Sequence, residues 1–177
     1  MLKKRIIPTL LIKDGSLIKT SRFKNPVYLG DPCNTVRIFN ELAVDEILLL
    51  DIGKCVQKKC PDFELLKDIA SEAFIPLAYG GGVRTLNDAK TLFRIGYEKI
   101  VLNSLALDFE KSVTEFSREF GAQAIVASID YKKSFFGKLK VFNPYAKKSK
   151  YSLGEYAKRL EALGAGELLV TNVDREG

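Results

Sequence analysis

RIIPTLLIK (Arg5 to Lys13) and AIVASIDYK (Ala124 to Lys132) coincide when the chain is slid on itself by 119 residues. Both read as apolar strands that close in a lysine, and the overlay sets Leu11 against Asp130. A symmetric ancestor with a carboxylate at both places would leave this chain with one. Short apolar runs bounded by turn signals suit parallel strands buried on both faces. Working outward from these two, the same kind of run recurs at Glu46–Ile52, Ile75–Tyr79, Lys99–Asn103 and Glu167–Val173, so strands are expected at Arg5–Ile12, at Ala124–Asp130 and at these four places.

Helical patterns fill the gaps. Pro32–Leu42 places Val36, Phe39 and Leu42 on one side, and a helix starting at Asp62 carries Leu65, Leu66, Ile69 and Ala73. Thr85 with Asp88 has capping-box spacing before a helix that ends at Gly96. A helix with Val113, Phe116 and Phe120 stops at Gly121, and Ser152 with Glu155 caps another that Gly164 closes. Strands alternating with helices of this length require right-handed crossovers and a parallel sheet. Polar residues recur at the C-terminal strand ends, at Asp51, Gly80–Gly82, Asn103, Asp130 and Asp174. A doubly wound sheet would gather such residues at one switch point, whereas a (βα)8 TIM barrel spreads them around its rim. The expectation is therefore an α/β chain of the barrel kind with only about six βα units, one incomplete domain over 1–177.

Composition bounds the function. At 177 residues and 46% hydrophobic, the chain can bury a sizeable core. No stretch approaches the ~20 apolar residues of a membrane span. The N-terminal MLKKRIIPTLLI ends its apolar run without a small-residue cleavage site and reads as a first strand, not a signal peptide. Three cysteines, Cys33, Cys55 and Cys60, with no secretory feature favour reduced thiols in a cytosol. Cys55 and Cys60 would need further ligands to hold a metal, and the chain has no histidine, so no metal or cofactor is expected. The net charge is +6, but it is local. Lys132, Lys133, Lys138, Lys140, Lys147, Lys148 and Lys150 lie in a stretch, about 131–150, that holds no Asp or Glu. Without these seven, the 28 basic residues fall to 21 against 22 acidic ones, so the body of the chain has no nucleic-acid footprint. The lysine-rich insert reads either as a solvated loop or as an edge that attracts a phosphorylated substrate.

The two-residue period of a strand sharpens the site. Arg5 shares a face with Leu11, Lys99 with Asn103, and Glu167 with Thr171. If the rim residues point inward, Arg5, Glu46, Lys99 and Glu167 do too at the opposite mouth, as a ring of two cations and two anions. Gly80–Gly82, followed one strand later by Asn103-Ser104, has the chemistry of a phosphate cradle, with backbone N–H groups open to an anion and a hydroxyl donor near a helix start.

KRIIPTLLIKDG, YLGDP, DEILLLDI, IPLAYGGG, KIVLNS, VASID and GAGELLVTNVDREG, taken in order, resemble the cyclase subunit of imidazole glycerol phosphate synthase over the whole chain. The resemblance implies a (βα)8 barrel, a lyase/cyclase of histidine biosynthesis, that receives ammonia at its N-terminal mouth from a glutaminase subunit. It matches Arg5, Glu46, Lys99 and Glu167 to the ammonia gate, and Pro76 and Glu98 to the glutaminase interface. Lys19 falls in the mobile loop over the active site, and Asp130 is one of two catalytic aspartates. Gly82, Asn103 and Ser104 match one substrate-phosphate site, with Gly81 beside them, and Gly177 the start of the other; Asp51, Thr171 and Asp174 are further rim residues by their places at strand ends.

Two departures qualify the resemblance. Leu11 stands where the other catalytic aspartate belongs, and losing a general acid/base typically costs ~100- to 10,000-fold in rate. Together with RFKNPVYLGDP and the FFGKLKVF insert, this resembles the branch found in surface-glycan pathways. There a glutaminase and a cyclase-like barrel deliver ammonia to an amidotransferase acting on an N-acetylated sugar. The alternatives are a true cyclase of histidine biosynthesis and a scaffold that activates the glutaminase without conducting ammonia. The second departure is length, since the family pattern continues through two more βα units. The expectation is a truncated copy with exposed sheet edges.

Overall fold

The computed structural model describes residues 4–57, 59–135, 137–143 and 151–177, without the side chains of 55–57. Lys147, Lys148 and Lys150 of the insert, and the side chain of Cys55, thus lie outside the described residues. The chain divides into two compact units, Met1–Lys19 with Val27–Ile100, and Thr20–Pro26 with Val101–Gly177.

The first unit opens with β1 (Thr9–Lys13), β2 (Ser16–Ser21) and β3 (Lys24–Gly30), the last two crossing the unit boundary. It continues through α1 (Pro32–Glu41), β4 (Ile47–Asp51), α2 (Ile52–Gln57), α3 (Phe63–Ser71), β5 (Leu77–Gly80) and α4 (Leu86–Ile95) into the start of β6 (Lys99–Leu102). β1 pairs antiparallel with β2 and parallel with β4, which pairs in parallel with β5. Ile47, Leu48 and Leu49 are all buried, so β4 is covered on both faces as its unbroken apolar run requires. Also buried in this unit are Leu66 and Ile69 of α3, Leu92 of α4, and Tyr97, whose hydroxyl donates to the Leu66 carbonyl at 3.1 Å.

The second unit takes the end of β6, then α5 (Ser104–Asp108), α6 (Lys111–Phe120), β7 (Ile125–Lys133), β8 (Leu139–Val141), α7 (Leu153–Ala162) and β9 (Glu167–Asn172). β7 pairs in parallel with β9 and antiparallel with β8, and Ile125, Ala127, Val113 and Leu160 form its core. The chain is α/β, with parallel strands alternating with helices. No helix among the described residues is long and apolar enough to cross a membrane.

Local signals placed the helix ends. Thr85 with Asp88 and Ser152 with Glu155 both form complete capping boxes, Asp31 and Asp62 cap α1 and α3, and α4 stops at Gly96. The strand starts need correction. The first strand begins at Thr9 rather than Arg5, because Pro8 has no amide to donate and Asp45 instead holds the segment before it. The Ile6 amide donates to Asp45 Oδ2 at 2.7 Å, and the Asp45 amide to the Ile6 carbonyl at 3.1 Å. The third expected strand likewise begins at Leu77, past Pro76. Leu42, expected on the apolar face of α1, is 64% exposed. β2, β3 and β8 are hairpin strands that the βα reading did not contain. The described part of the lysine-rich insert is thereby not a plain loop, since Tyr131–Lys133 pairs with Leu139–Val141.

Gly81 needs its missing side chain. It sits at φ +133°, and a Cβ there would lie 2.5 Å from the Asp51 carbonyl oxygen. Gly96 has a similar φ, +123°, but open space around it. Gly81→Ala should therefore cost on the order of 4 kcal/mol, combining backbone strain and overpacking. Gly96→Ala should cost only about 1 to 3 kcal/mol of backbone strain. Urea unfolding midpoints of the two variants check the order.

Candidate functional site

The N-terminal ends of β4 and β6 and the segment before β1 bring three charges together in the first unit. Arg5 Nη1 donates to Glu46 Oε2 at 3.0 Å, and Lys99 Nζ donates to the same oxygen at 2.7 Å. Glu46 is only 4% exposed. A carboxylate that far from water must be paired, and here two cations distant in sequence, one before β1 and one opening β6, share it. Asp45 fixes Ile6 while its neighbour Glu46 holds Arg5, so one dipeptide positions the other. The expected fourth member, Glu167, opens β9 in the second unit, opposite Val126 in the parallel register.

At the other end of the same strands, the register sets which side chains share a face with Leu11. Leu11 lies between Ile18 of β2 and Leu50 of β4, while Asp51 pairs with Ile12. Cross-strand partners share a face, and successive residues alternate, so Asp51 faces away from Leu11. Its Oδ1 instead accepts the Lys54 amide at 2.9 Å at the start of α2. Burial raises the Asp51 carboxyl above the ordinary aspartate range, against the Lys54 and Gly53 amides and the Lys54 charge, which lower it; the Asp14 carboxylate adds a smaller upward push. The glycine run has a packing role of its own: a Cβ on Gly81 would strike Asp51, and one on Gly82 would strike the Lys59 carbonyl.

In the second unit Asn103 and Asp130 come together. Asn103 Nδ2 donates to Asp130 Oδ2 at 2.8 Å and to Ser128 Oγ at 3.2 Å. Thr171 lies directly across from Asp130 in the β7–β9 register, on the same face. Burial pushes the Asp130 carboxyl up, and the Asn103 amide partly restrains it. A carboxylate raised toward neutral pH is better matched to moving protons. Ser104, placed in a phosphate cradle by its sequence, is the first residue of the five-residue α5. Gly81 and Gly82 belong to the first unit, Asn103 and Ser104 to the second. Asp174, expected at the rim, accepts the Lys133 amide at 3.1 Å. Lys19 is exposed on β2, and Gly177 takes φ +96° beside Thr20 and Ser21.

Ser128 and Glu176 are polar site residues that the sequence reading passed over. Ser128 sits two residues before Asp130, on the same face, and strand period alone could have found it. Glu176 gave no such signal. Among the described residues no group of three His, Cys, Asp or Glu side chains could hold a metal ion. Cys33 and Cys60 are free thiols.

Parallel βα units with acid/base and amide groups at their C-terminal strand ends define an enzyme domain of the TIM-barrel-like class. The chain belongs to the histidine biosynthesis protein family, His_biosynth, which matches residues 5–177 and includes the imidazole glycerol phosphate synthase subunits HisF. It is 43% identical over its full length to a Pseudomonas aeruginosa protein provisionally named imidazole glycerol phosphate synthase subunit hisF2, covering 71% of that protein. It is 39% identical to the imidazole glycerol phosphate synthase subunit HisF of Sulfolobus acidocaldarius and 35% to that of Streptococcus sanguinis, again over the full chain and 71% of each relative.

The raised Asp130 carboxyl has a consequence for stability. Above the ordinary unfolded value of about 3.9, the native state still holds a proton that the unfolded chain has released. Stability therefore falls as pH rises through the interval between the unfolded and folded values, and the loss stays complete above it. Asp130→Asn, which cannot ionise, should be more stable than the wild type at neutral pH. The advantage should shrink as pH falls through that interval and be gone below the ordinary aspartate value, as urea midpoints across that range would show.

Proposed function

We propose that this chain is a HisF-type subunit that receives ammonia from a glutaminase and passes it on, with its own ring-closing chemistry weakened. The observation that carries this reading is the buried Glu46, held at once by Arg5 and Lys99 at the N-terminal strand ends. A buried ion cluster of this kind gives a polar passage whose closure depends on side-chain pairing. Exposed apolar residues flank it. Ile6 is 68% exposed and Phe74 88%, and the 40–46 segment binds both, Asn40 Oδ1 accepting the Phe74 amide and Asp45 the Ile6 amide. Apolar groups left in water around a polar opening suit a docked partner, here the glutaminase. Pro76 and Glu98 belong to the same unit as that cluster, and Glu167 is the gate residue of the second unit.

For a phosphorylated small molecule, the first unit offers Gly81 and Gly82 at a C-terminal strand end, with Lys19 as a further active-site group, and the second unit offers Asn103, Ser104 and Gly177. Asp130 supplies one acid/base group. Leu11, lying between the apolar Ile18 and Leu50, supplies none. The ammonia then serves an amidotransferase acting on an N-acetylated sugar of a surface glycan. Retention of the Asn103-held Asp130 favours the second reading, a true cyclase of histidine biosynthesis. Rescue of a cyclase-deficient histidine auxotroph by the unaltered chain would establish that second reading and overturn the first.

Glu46→Gln keeps the side-chain volume and removes the shared charge. With the cognate glutaminase and glutamine, ammonia transfer should fall at least about tenfold, the worth of one charge-assisted hydrogen bond. Use of free ammonium should fall much less. Unchanged transfer in Glu46→Gln and Lys99→Met would mean that the cluster is no gate and would favour a scaffold that activates the glutaminase.

A further inference from the structure

The chain makes two consecutive two-residue hairpin turns from very different residues. Between β1 and β2 the turn is Asp14-Gly15, at φ +50° and +79°. Between β2 and β3 it is Arg22-Phe23, at φ +52° and +62°. Two-residue turns with both φ values positive match the strand twist, and Asp-Gly is a residue pair that adopts them readily. Arg and Phe do not, because a Cβ disfavours the left-handed region unless the side chain is short and polar. Such a turn persists only when its surroundings over-determine it.

The surroundings here are Glu176. Its Oε1 accepts the Thr20 hydroxyl, its Oε2 accepts the Phe23 amide at 2.8 Å, and its carbonyl accepts the Arg22 amide at 2.9 Å. Thr20 is 5% exposed, so its hydroxyl is bonded out of water. Gly177 brings the backbone in close, since a Cβ there would strike the Thr20 carbonyl and Ser21. The Phe23 ring leans on Phe142 at 6.4 Å between centroids, and Lys132 Nζ sits 4.0 Å over that second ring. The short turn that precedes Glu176 is itself capped by Asn172 Oδ1, which accepts the Asp174 amide at 3.0 Å. All of these residues lie in the second unit.

We propose that Glu176 is a positioning residue, a latch that holds the Arg22-Phe23 hairpin in a turn its own side chains disfavour and so sets the place of the Lys19-bearing strand β2. The seating of the hairpin is independent of the proposed function. Its effect on turnover rests on the assignment of Lys19 made there.

Hydrogen exchange of the full chain, followed in peptides spanning Ser16–Gly30, tests the latch. Glu176→Ala should speed exchange in this hairpin about tenfold or more, with the urea midpoint of the rest little changed. Thr20→Val, which removes one of the three bonds, should give a smaller change and serves if Glu176→Ala fails to fold. Adding Arg22→Asn and Phe23→Gly to either variant supplies a turn that needs no latch, and should return exchange toward the wild-type rate. Unchanged exchange in Glu176→Ala, or no rescue by the Asn-Gly turn, overturns the proposal. Faster exchange with unchanged kcat in the glutamine-dependent reaction upholds the latch and removes Lys19 from the catalytic reading. Faster exchange with a lowered kcat that the Asn-Gly turn restores upholds both.

Discussion

Glu46 is the constraint on which the first unit depends. A carboxylate 4% exposed cannot be left unpaired, and both of its cations come from strand starts elsewhere in the sequence, Arg5 before β1 and Lys99 at β6. Meeting at one oxygen fixes which way each strand faces. With Glu46 on the inner face, Leu48 and Leu50 follow it at the two-residue period, and Leu50 pairs with Leu11. The same register sends Asp51 to the other face, to cap α2. Asp51 therefore does not share the face of Leu11, for a reason that reaches back to the opposite end of the strand.

The second unit places Asp130, the acid/base group of the proposed function, at a cost. Asp130 gains a raised pKa from burial and one hydrogen bond from Asn103, which also reaches Ser128. A buried carboxyl with a single amide donor is less stable ionised than it would be in water, and that is what suits it to proton transfer. Stability and chemistry pull in opposite directions at this residue, as they do wherever a site keeps strain or charge for use.

What could be read in advance was local. The βα alternation and the capping boxes at Thr85 and Ser152 follow from neighbours three or four residues apart, and they stand where the sequence put them. The period of two put Lys99 on a face with Asn103 and Glu167 on one with Thr171. The hairpins were harder. Asp14-Gly15 between apolar runs is a strong hairpin signal that went unused, whereas Arg22-Phe23 carries none, because its turn is held by a carboxylate more than 150 residues away in sequence. The glycine run was read as open to a phosphate, while Asp51 and Lys59 press against Gly81 and Gly82 closely enough to require glycine in any event. Close approach between distant backbones leaves no mark in the sequence beyond the glycine itself.

The central claim is that a gate-bearing HisF-type chain has lost half of its acid/base pair at Leu11. The most direct measurement supplies the imidazole-forming substrate and free ammonium, bypassing any glutaminase, and compares the unaltered chain with Leu11→Asp. The account predicts that the unaltered chain forms imidazole glycerol phosphate ~100- to 10,000-fold more slowly than the variant. Equal rates, with the unaltered chain turning over as an ordinary enzyme, would contradict it.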